Sequence, residues 1–297
     1  MTGAEQGFLL LTSHLGDPER KVLTVPQFRI LANAVSGGVI PQEDRELVEE
    51  DLMNLGFTRD SAARILQLLS QGELLRWYLQ TGANKDCLAL TRISTGYPLI
   101  LHKRLGLDCP GCLWLKGDPQ ILAKPCISLV GSRELRQDNL EFAKKVGYQA
   151  AKQGFALVSG NARGADTAAQ EACLEAGGYV ICVVADSLGD HPLRENVLYI
   201  SEDGFDLPFS SLRALSRNRV IHCLGAAVFV AQCTLEKGGT WDGATKNLRN
   251  NWSRVFCFND GSEAFVELTQ RGAIPVDPVD LSDFTQLLHQ GQKQFAL

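Results

Sequence analysis

The sequence predicts an α/β fold, in which a Rossmann-like, doubly wound and mostly parallel sheet is preceded by a small all-α N-terminal domain. The first observation is that short apolar runs alternate with helical patterns from residue 121 onward, as expected for strands buried on both faces. The second is that the first 90 residues carry helical periodicity and little strand signal. The third is that glycine-rich turns directly follow two of the apolar runs, where a parallel strand would connect to a helix.

Three helices are expected in the N-terminal domain, which we place at residues 1–90. The first begins at Pro41, because an acidic first turn complements the helix dipole, and it ends before Gly56. The other two are expected around residues 60–69 and 74–79. Such a domain suits a helical adaptor. One functional hypothesis is that the protein is a scaffold that recruits partners through this domain. It is less favoured than the two ligand-binding hypotheses given below.

The predicted sheet occupies a second domain at residues 91–280, and a C-terminal helix or tail follows at 281–297. A further strand or turn is expected near Ile274, and a short helix at 282–289. The strands are expected at residues 126–130, 155–158, 179–184, 227–231 and 255–258.

Two of the turns after these strands have the composition of phosphate-binding loops. Glycines let backbone N–H groups approach an anion, a helix N-terminus adds positive potential, and an arginine can bind a phosphate bidentately. The alternative is that the glycines only form tight turns and the arginines are solvated. Two such loops at neighbouring strands favour a phosphate site. The first loop supplies Gly131, Ser132 and Arg133, and the second supplies Ser159, Gly160, Asn161, Arg163, Gly164 and Asp166.

Asp166 stands at the head of the following helix, where it is expected to cap the helix or to order the loop that carries Arg163. The cap is the preferred interpretation. As a general base, Asp166 would need a partner that the sequence does not reveal.

Positive charge is concentrated at residues 211–254, with seven basic and two acidic residues, although the whole chain has a formal net charge of −5. Such asymmetry suits a local groove for a polyanion. Arg217, Asn218 and Arg219 are expected near the start of a helix. Positive side chains there oppose the helix dipole, which favours an anion ligand over the alternative of a structural salt bridge.

A third segment, Lys237 with Gly238, Gly239, Thr240 and Trp241, follows the strand at 227–231. A Gly-Gly-Thr turn that opens a helix is expected to close the same pocket as the first two loops. Trp241 could stack on a nucleobase or pack beneath the loop, and the sequence favours neither.

In this order the motifs resemble those of the DNA processing protein A family, also called DprA or Smf. The resemblance covers about residues 97–275 and depends on segments 130–133, 159–166, 177–178 and 217–221. It implies a domain that binds single-stranded DNA, forms homodimers, and delivers DNA to a RecA-type recombinase during DNA uptake, recombination or defence.

The chain departs from the family pattern in ways that suggest a divergent branch. Gln170 replaces a usual histidine, and the segment 237–244 replaces a usual Ser-Gly-Ser motif. The Gly-Gly-Thr turn is also similar to that of the lysine decarboxylase-like nucleotide hydrolases of the wider superfamily. The alternative hypothesis is therefore a protein that binds a nucleotide or a nucleotide-derived ligand and hydrolyses its glycosidic bond.

The sequence gives little sign of catalysis. Cys109 and Cys112 form a Cys-x-x-Cys pair without a second pair at zinc spacing, so a plain turn is favoured over a metal or redox site. His191 and His222 are isolated. We therefore predict no catalytic residues, no metal and no cofactor. No apolar run reaches the ~18 residues of a membrane span, and a cytoplasmic location is expected.

Overall fold

The computed structural model describes residues 1–37, 46–202 and 204–294. The helix start predicted at Pro41 lies outside the described residues. None of the described helices is long and apolar enough to cross a membrane.

The chain divides into two compact units. One consists of residues 1–97 and 110–113, and the other of residues 98–109 and 114–297. The domain boundaries near residues 90 and 280 stay predictions.

The first unit is mostly helical and has its own apolar core, to which Leu52 and Ile65 contribute fully buried side chains. The helices predicted around 60–69 and 74–79 are confirmed, whereas the short strand at its end was not predicted. The elements are α1 (Gly3–Thr12), α2 (Val25–Ser36), α3 (Glu49–Asn54), α4 (Arg59–Leu69), α5 (Gly72–Ala83) and β1 (Cys87–Thr91).

The remaining elements alternate between strand and helix as predicted. The five predicted strands are confirmed within one residue at each end, and the strand near Ile274 is present. The elements are α6 (Leu99–Leu105), β2 (Cys112–Lys116), β3 (Cys126–Val130), α7 (Gln137–Lys152), β4 (Ala156–Ser159), α8 (Ala165–Glu175), β5 (Tyr179–Val183), β6 (Val197–Ser201), α9 (Ser211–Leu224), β7 (Ala227–Val230), α10 (Gly238–Asn250), β8 (Arg254–Phe258), α11 (Glu263–Gln270), β9 (Ile274–Val276) and α12 (Phe284–Gln294).

Strands β2 and β6 were not predicted, and they pair with each other in antiparallel orientation. All five residues of each are buried, so their short apolar runs lack the alternation that would mark a half-buried strand. The other pairs of this sheet are parallel, namely β6 with β5, β5 with β4, β4 with β3, β3 with β7, β7 with β8 and β8 with β9. The prediction of a mostly parallel sheet is confirmed.

The strand order in the second unit is β2-β6-β5-β4-β3-β7-β8-β9. The chain adds β4, β5 and β6 on one side of β3 and then returns to add β7, β8 and β9 on the other side. The order therefore reverses at β3 and β7, which makes this the topological switch point of a doubly wound sheet. Ligands of open α/β sheets bind outside the carboxyl ends of the strands at such a point.

Candidate functional site

Three loops of the second unit emerge at the same edge of the sheet. Loop 1 (residues 131–136) connects β3 to α7, loop 2 (160–164) connects β4 to α8, and loop 3 (231–237) connects β7 to α10. Because β4, β3 and β7 are adjacent and parallel, their carboxyl ends place the three loops side by side. The loops are therefore at the position where the topology predicts a ligand.

A cavity of about 1100 Å³ lies between the three loops and helix α9. The predicted convergence of the three segments on one cavity is confirmed, while the nature of the ligand stays a prediction. The predicted site residues that line it are Gly131, Ser132, Arg133, Arg163, Asp166, Arg217, Asn218, Lys237, Gly238, Gly239 and Thr240. Those that do not line it are Ser159, Gly160, Asn161, Gly164, Arg219 and Trp241.

Within the described residues, each of the three loops contributes one cation without a salt bridge to the cavity wall. Arg133, Arg163 and Lys237 are exposed, and none of their side chains makes a hydrogen bond or salt bridge within the described parts of the chain. Arg136 also lines the cavity, but its guanidinium forms a salt bridge with Asp260. An anion could therefore bind these three cations without breaking a hydrogen bond or a salt bridge within the described residues.

Several loop N–H groups are already bonded within the protein. The N–H of Ser132 donates to the carbonyl oxygen of Gln232 over 2.9 Å. The N–H groups of Gly160 and Ala162 donate to the Asp166 carboxylate over 3.0 and 3.2 Å. The expectation that these N–H groups point at a ligand is therefore wrong for these three residues. Anion binding in the cavity depends mainly on side chains.

The glycines of loop 2 allow it to pack closely against its neighbours. Gly164 has a φ of +94°, and a Cβ atom there would lie 2.5 Å from the carbonyl oxygen of Arg133 in loop 1. A Cβ atom on Gly160 would overlap the guanidinium of Arg217. Close packing against the backbone of loop 1 is therefore sufficient to require glycine at position 164, whether or not an anion approaches it.

Asp166 holds loop 2 in place through hydrogen bonds from the loop backbone. The predicted cap is wrong, because α8 begins at Ala165 with Gly164 as its N-cap residue. The alternative role is confirmed, since the buried carboxylate accepts both N–H groups named above. Burial raises the pKa of Asp166, and the neighbouring Arg217 guanidinium opposes this shift. Asp166 thus fixes the loop that carries Arg163.

Arg217 and Arg219 lie in the middle and second half of the 14-residue helix α9, so their predicted position near its start is wrong. The argument from the helix dipole does not apply to them. Arg219 donates to Glu202 over 2.6 Å, which is the salt bridge considered as the alternative. Burial lowers the pKa of Arg217, and Asp166 is the principal opposite charge that counters this shift.

The start of α10 closes the cavity on the side of loop 3. The helix begins at Gly238, as predicted, and Asn218 donates to the carbonyl oxygen of Gly239 over 3.1 Å. Trp241 is 8% exposed, and the Arg271 guanidinium lies 5.6 Å from its ring centroid. Of the two predicted roles of Trp241, packing beneath the loop is confirmed.

Two other predicted site residues, one at the end of β4 and one in loop 2, have structural roles. The buried hydroxyl oxygen of Ser159 accepts a hydrogen bond from the Gln170 side chain, the residue that replaces a usual histidine. Asn161 adopts a left-handed conformation with φ of +56°, which suits an asparagine in a tight turn. Neither side chain lines the cavity.

The described residues include no group of three or more His, Cys, Asp or Glu that could hold a metal. Cys109 and Cys112 are buried cysteines that form no disulfide, and burial raises the pKa of Cys112 to about 12. This thiol is protonated at neutral pH and is a poor nucleophile. His222 lines the cavity but is buried, its Nδ1 accepts from Asn247 over 3.0 Å, and burial lowers its pKa to about 4.

Comparison with known proteins places this architecture in a family. A profile of the DNA recombination-mediator protein A family matches residues 89–280. The chain belongs to this family. The matched region contains all three loops and helix α9.

Two curated relatives of this recombination-mediator family match part of the chain. The DNA processing protein DprA of Streptococcus pneumoniae is 30% identical over 179 residues, which cover 56% of this chain and 63% of the relative. Protein Smf of Escherichia coli is 30% identical over 185 residues, which cover 57% of this chain and 49% of the relative. The matched region thus spans less than two thirds of either relative.

Two solved structures share the recombination-mediator fold. DNA processing protein A from Streptococcus pneumoniae superposes with a TM-score of 0.71 at 24% identity, covering 95% of this chain and 98% of that protein. DNA processing protein A from Helicobacter pylori, which binds single-stranded DNA, has a TM-score of 0.55 at 23% identity, covering 70% and 97%. At these identities the likeness establishes the fold.

Proposed function

We propose that this chain binds single-stranded DNA, and that the phosphates of the strand bind in the cavity between loops 1, 2 and 3. The observation that carries the proposal is that Arg133, Arg163 and Lys237 line one cavity and are not engaged by the described protein. Three unpaired cations at a sheet edge bind successive phosphates without sequence preference.

The charge of the cavity wall supports an anionic ligand. The wall contains five Arg and Lys side chains and two carboxylates, although the whole chain has a formal net charge of −5. Of the two carboxylates, Asp166 already accepts loop N–H groups and lies next to Arg217. The wall is therefore locally positive on an acidic protein, which concentrates a polyanion at this edge.

Family membership supports the biological part of the proposal. The Helicobacter pylori relative binds single-stranded DNA, and the family is described as a mediator of recombination. We propose that this chain protects single strands in the cytoplasm and loads a RecA-type recombinase, acting as a homodimer.

The test is a titration of a fluorescein-labelled oligothymidylate of about 20 nucleotides, followed by fluorescence anisotropy. Replacing both Arg133 and Arg163 with alanine should weaken binding by roughly tenfold per arginine, since each loses a charge-assisted hydrogen bond. Arg249→Ala is the matched control, because Arg249 is an exposed arginine of α10 that does not line the cavity. Equal affinity of all three proteins would overturn the proposed site.

A free nucleotide is the second candidate ligand. The observation that favours it is that Gly238, Gly239 and Thr240 open helix α10 at the cavity wall, where a helix N-terminus can bind a phosphate. A nucleotide at 100 times its Kd should stabilise the protein by about 2.7 kcal/mol, which a thermal-shift screen detects. No shift with any nucleotide, together with tight oligonucleotide binding, would exclude this candidate.

A further inference from the structure

Gln232 of loop 3 bonds to loop 1 through both its backbone and its side chain. Its carbonyl oxygen accepts the N–H of Ser132 over 2.9 Å and the Ser132 hydroxyl over 3.2 Å. Its side-chain Oε1 accepts the N–H of Arg136 over 3.0 Å, and its Nε2 donates to the carbonyl oxygen of Glu134 over 3.3 Å. Gln232 therefore contacts loop 1 at three alternate residues.

Arg133 lies between two of the residues that Gln232 bonds. One of them, Ser132, is also held from the side of loop 2, because its carbonyl oxygen accepts the N–H of Ala165 over 3.2 Å. The guanidinium of Arg133, in contrast, makes no hydrogen bond or salt bridge to the described residues. The backbone on both sides of Arg133 is thus fixed, and this backbone sets the direction in which its free side chain leaves the loop.

The amide of Gln232 is matched to the two groups that it bonds. The Glu134 carbonyl needs a donor and the Arg136 N–H needs an acceptor, and a side-chain amide supplies one of each. A carboxylate at this position could only accept hydrogen bonds, and one of its oxygens would face the Glu134 carbonyl oxygen. An apolar side chain would bond to neither group. The bonds to loop 1 therefore need an amide.

The order that Gln232 gives to loop 1 matters for affinity. A loop that is mobile in the free protein must be ordered when its cation binds an anion, and this ordering weakens binding. Gln232 supplies the order before the ligand arrives. Gln232 also lines the cavity, but it carries no charge, and both Oε1 and Nε2 already have partners in loop 1.

We infer that Gln232 is a positioning residue of the cavity, which holds loop 1 so that Arg133 is presented to a phosphate of the DNA strand. This inference rests on the proposed function, since it requires Arg133 to bind a phosphate. Gln232 acts through Arg133, and its removal should therefore have no effect on binding once Arg133 is absent.

The experiment is a double-mutant cycle on the affinity for a labelled oligothymidylate. Gln232→Met keeps the length and the neutral charge of the side chain but removes its donor and acceptor. It should weaken binding by about fivefold in the wild-type protein, because the loop is no longer ordered before binding. In an Arg133→Ala background it should change the affinity by less than about twofold. In an Arg163→Ala background the full loss should persist, since Arg163 belongs to loop 2.

Gln153→Met is the matched control, because Gln153 holds another backbone segment in the same way. Its Nε2 donates to the carbonyl oxygen of Leu281 over 2.9 Å, and its Oε1 accepts the N–H of Phe284 over 2.6 Å. Gln153 does not line the cavity. Both variants lose two hydrogen bonds to the backbone, so their melting temperatures should fall by similar amounts. Only Gln232→Met should bind the oligothymidylate more weakly.

The outcomes separate this inference from the proposed function. If Arg133→Ala binds as tightly as the wild type, the proposed phosphate site fails and the inference fails with it. If Arg133→Ala weakens binding but Gln232→Met does not, the inference is overturned and the proposed function stands. The same holds if Gln232→Met causes an equal loss with and without Arg133, because Gln232 would then contact the DNA itself.

Two further results guard against an effect of stability alone. If Gln153→Met weakens binding as much as Gln232→Met, the loss reflects general destabilisation and the inference is overturned. If Gln232→Met does not fold, Gln232→Asn takes its place in the cycle, because its amide is one methylene shorter and cannot reach both Glu134 and Arg136. The same dependence on Arg133 is expected, and an equal loss in both backgrounds would again overturn the inference.

Discussion

Arg133 and Arg163 of loops 1 and 2 differ from Arg213 and Arg219 of helix α9 in what surrounds them. Arg133 and Arg163 are exposed and make no hydrogen bond or salt bridge to the described residues, whereas Arg213 and Arg219 of α9 are bonded to protein acceptors. Both groups lie near one cavity and look alike in the sequence. We therefore expect a cluster of arginines to bind an anion only where the protein leaves the charges unpaired.

The largest expected effect is a difference in stability between variants of a bonded arginine and variants of an unpaired one. Arg219→Ala should lower the free energy of unfolding by about 3 kcal/mol, because it removes the ion pair of Glu202, whose side chain is 4% exposed. Arg133→Ala should change it by less than about 0.5 kcal/mol, as for an ordinary surface substitution. Urea denaturation of both variants measures the two values. Equal losses would remove the distinction between bonded and unpaired arginines.

The second prediction concerns His222, another polar residue of α9 that belongs to the interior. Its pKa is lowered by burial from 6.5 to about 4, so the unfolded chain binds the proton first as the pH falls. The stability that comes from keeping His222 neutral is fully present above pH 6.5. It is lost as the pH falls from 6.5 toward 4, and the total loss in the free energy of unfolding is about 3 kcal/mol.

Denaturation of the wild-type protein and of His222→Gln between pH 7 and pH 4 measures this contribution. The variant should be less stable at pH 7 and should lose less stability as the pH falls. The charge of Asp242 opposes the lowering of the His222 pKa by burial. In the Asp242→Asn variant, stability should therefore still fall as the pH is lowered. Parallel profiles of the wild type and His222→Gln would contradict the interior role.

The third prediction tests where the loops meet α9. Gly160→Ala should destabilise the protein by about 2 kcal/mol, because the added Cβ atom would overlap the Arg217 guanidinium. Gly177→Ala is a control for a glycine with positive φ and no neighbour within 4 Å, so its cost reflects backbone strain alone. A smaller loss at Gly160 than at Gly177 would show that Arg217 moves aside freely.

Most of the fold follows from the sequence, because parallel strands buried on both faces appear as continuous apolar runs. Strands β3 and β7 were placed in this way, and adjacent parallel strands must deliver their loops to one edge. Strands β2 and β6 were missed, since short apolar segments in a long connection do not reveal whether they pair. Pairing is a tertiary property that no local pattern contains.

The candidate site was predictable in its position and only partly in its chemistry. The glycines and Asp166 were recognised, but their partners within the protein, such as Arg217 for Gly160, depend on packing between elements distant in sequence. Likewise, the count of charges at 211–254 did not show that Arg219 is paired with Glu202. Phe209 and Leu215 also line the cavity. They gave no signal in the sequence, because an apolar residue beside a basic motif looks like part of a core.

The most direct test of the account is the salt dependence of oligothymidylate binding, measured for the wild type, for R133A/R163A and for Arg249→Ala. Each phosphate contact contributes about 0.7 to the slope of log affinity against log salt concentration for a single strand. If Arg133 and Arg163 each bind one phosphate, the slope of the double variant should fall in magnitude by about 1.4, while Arg249→Ala keeps the wild-type slope. An unchanged slope for R133A/R163A would contradict the assignment of the loop arginines as the phosphate-binding groups.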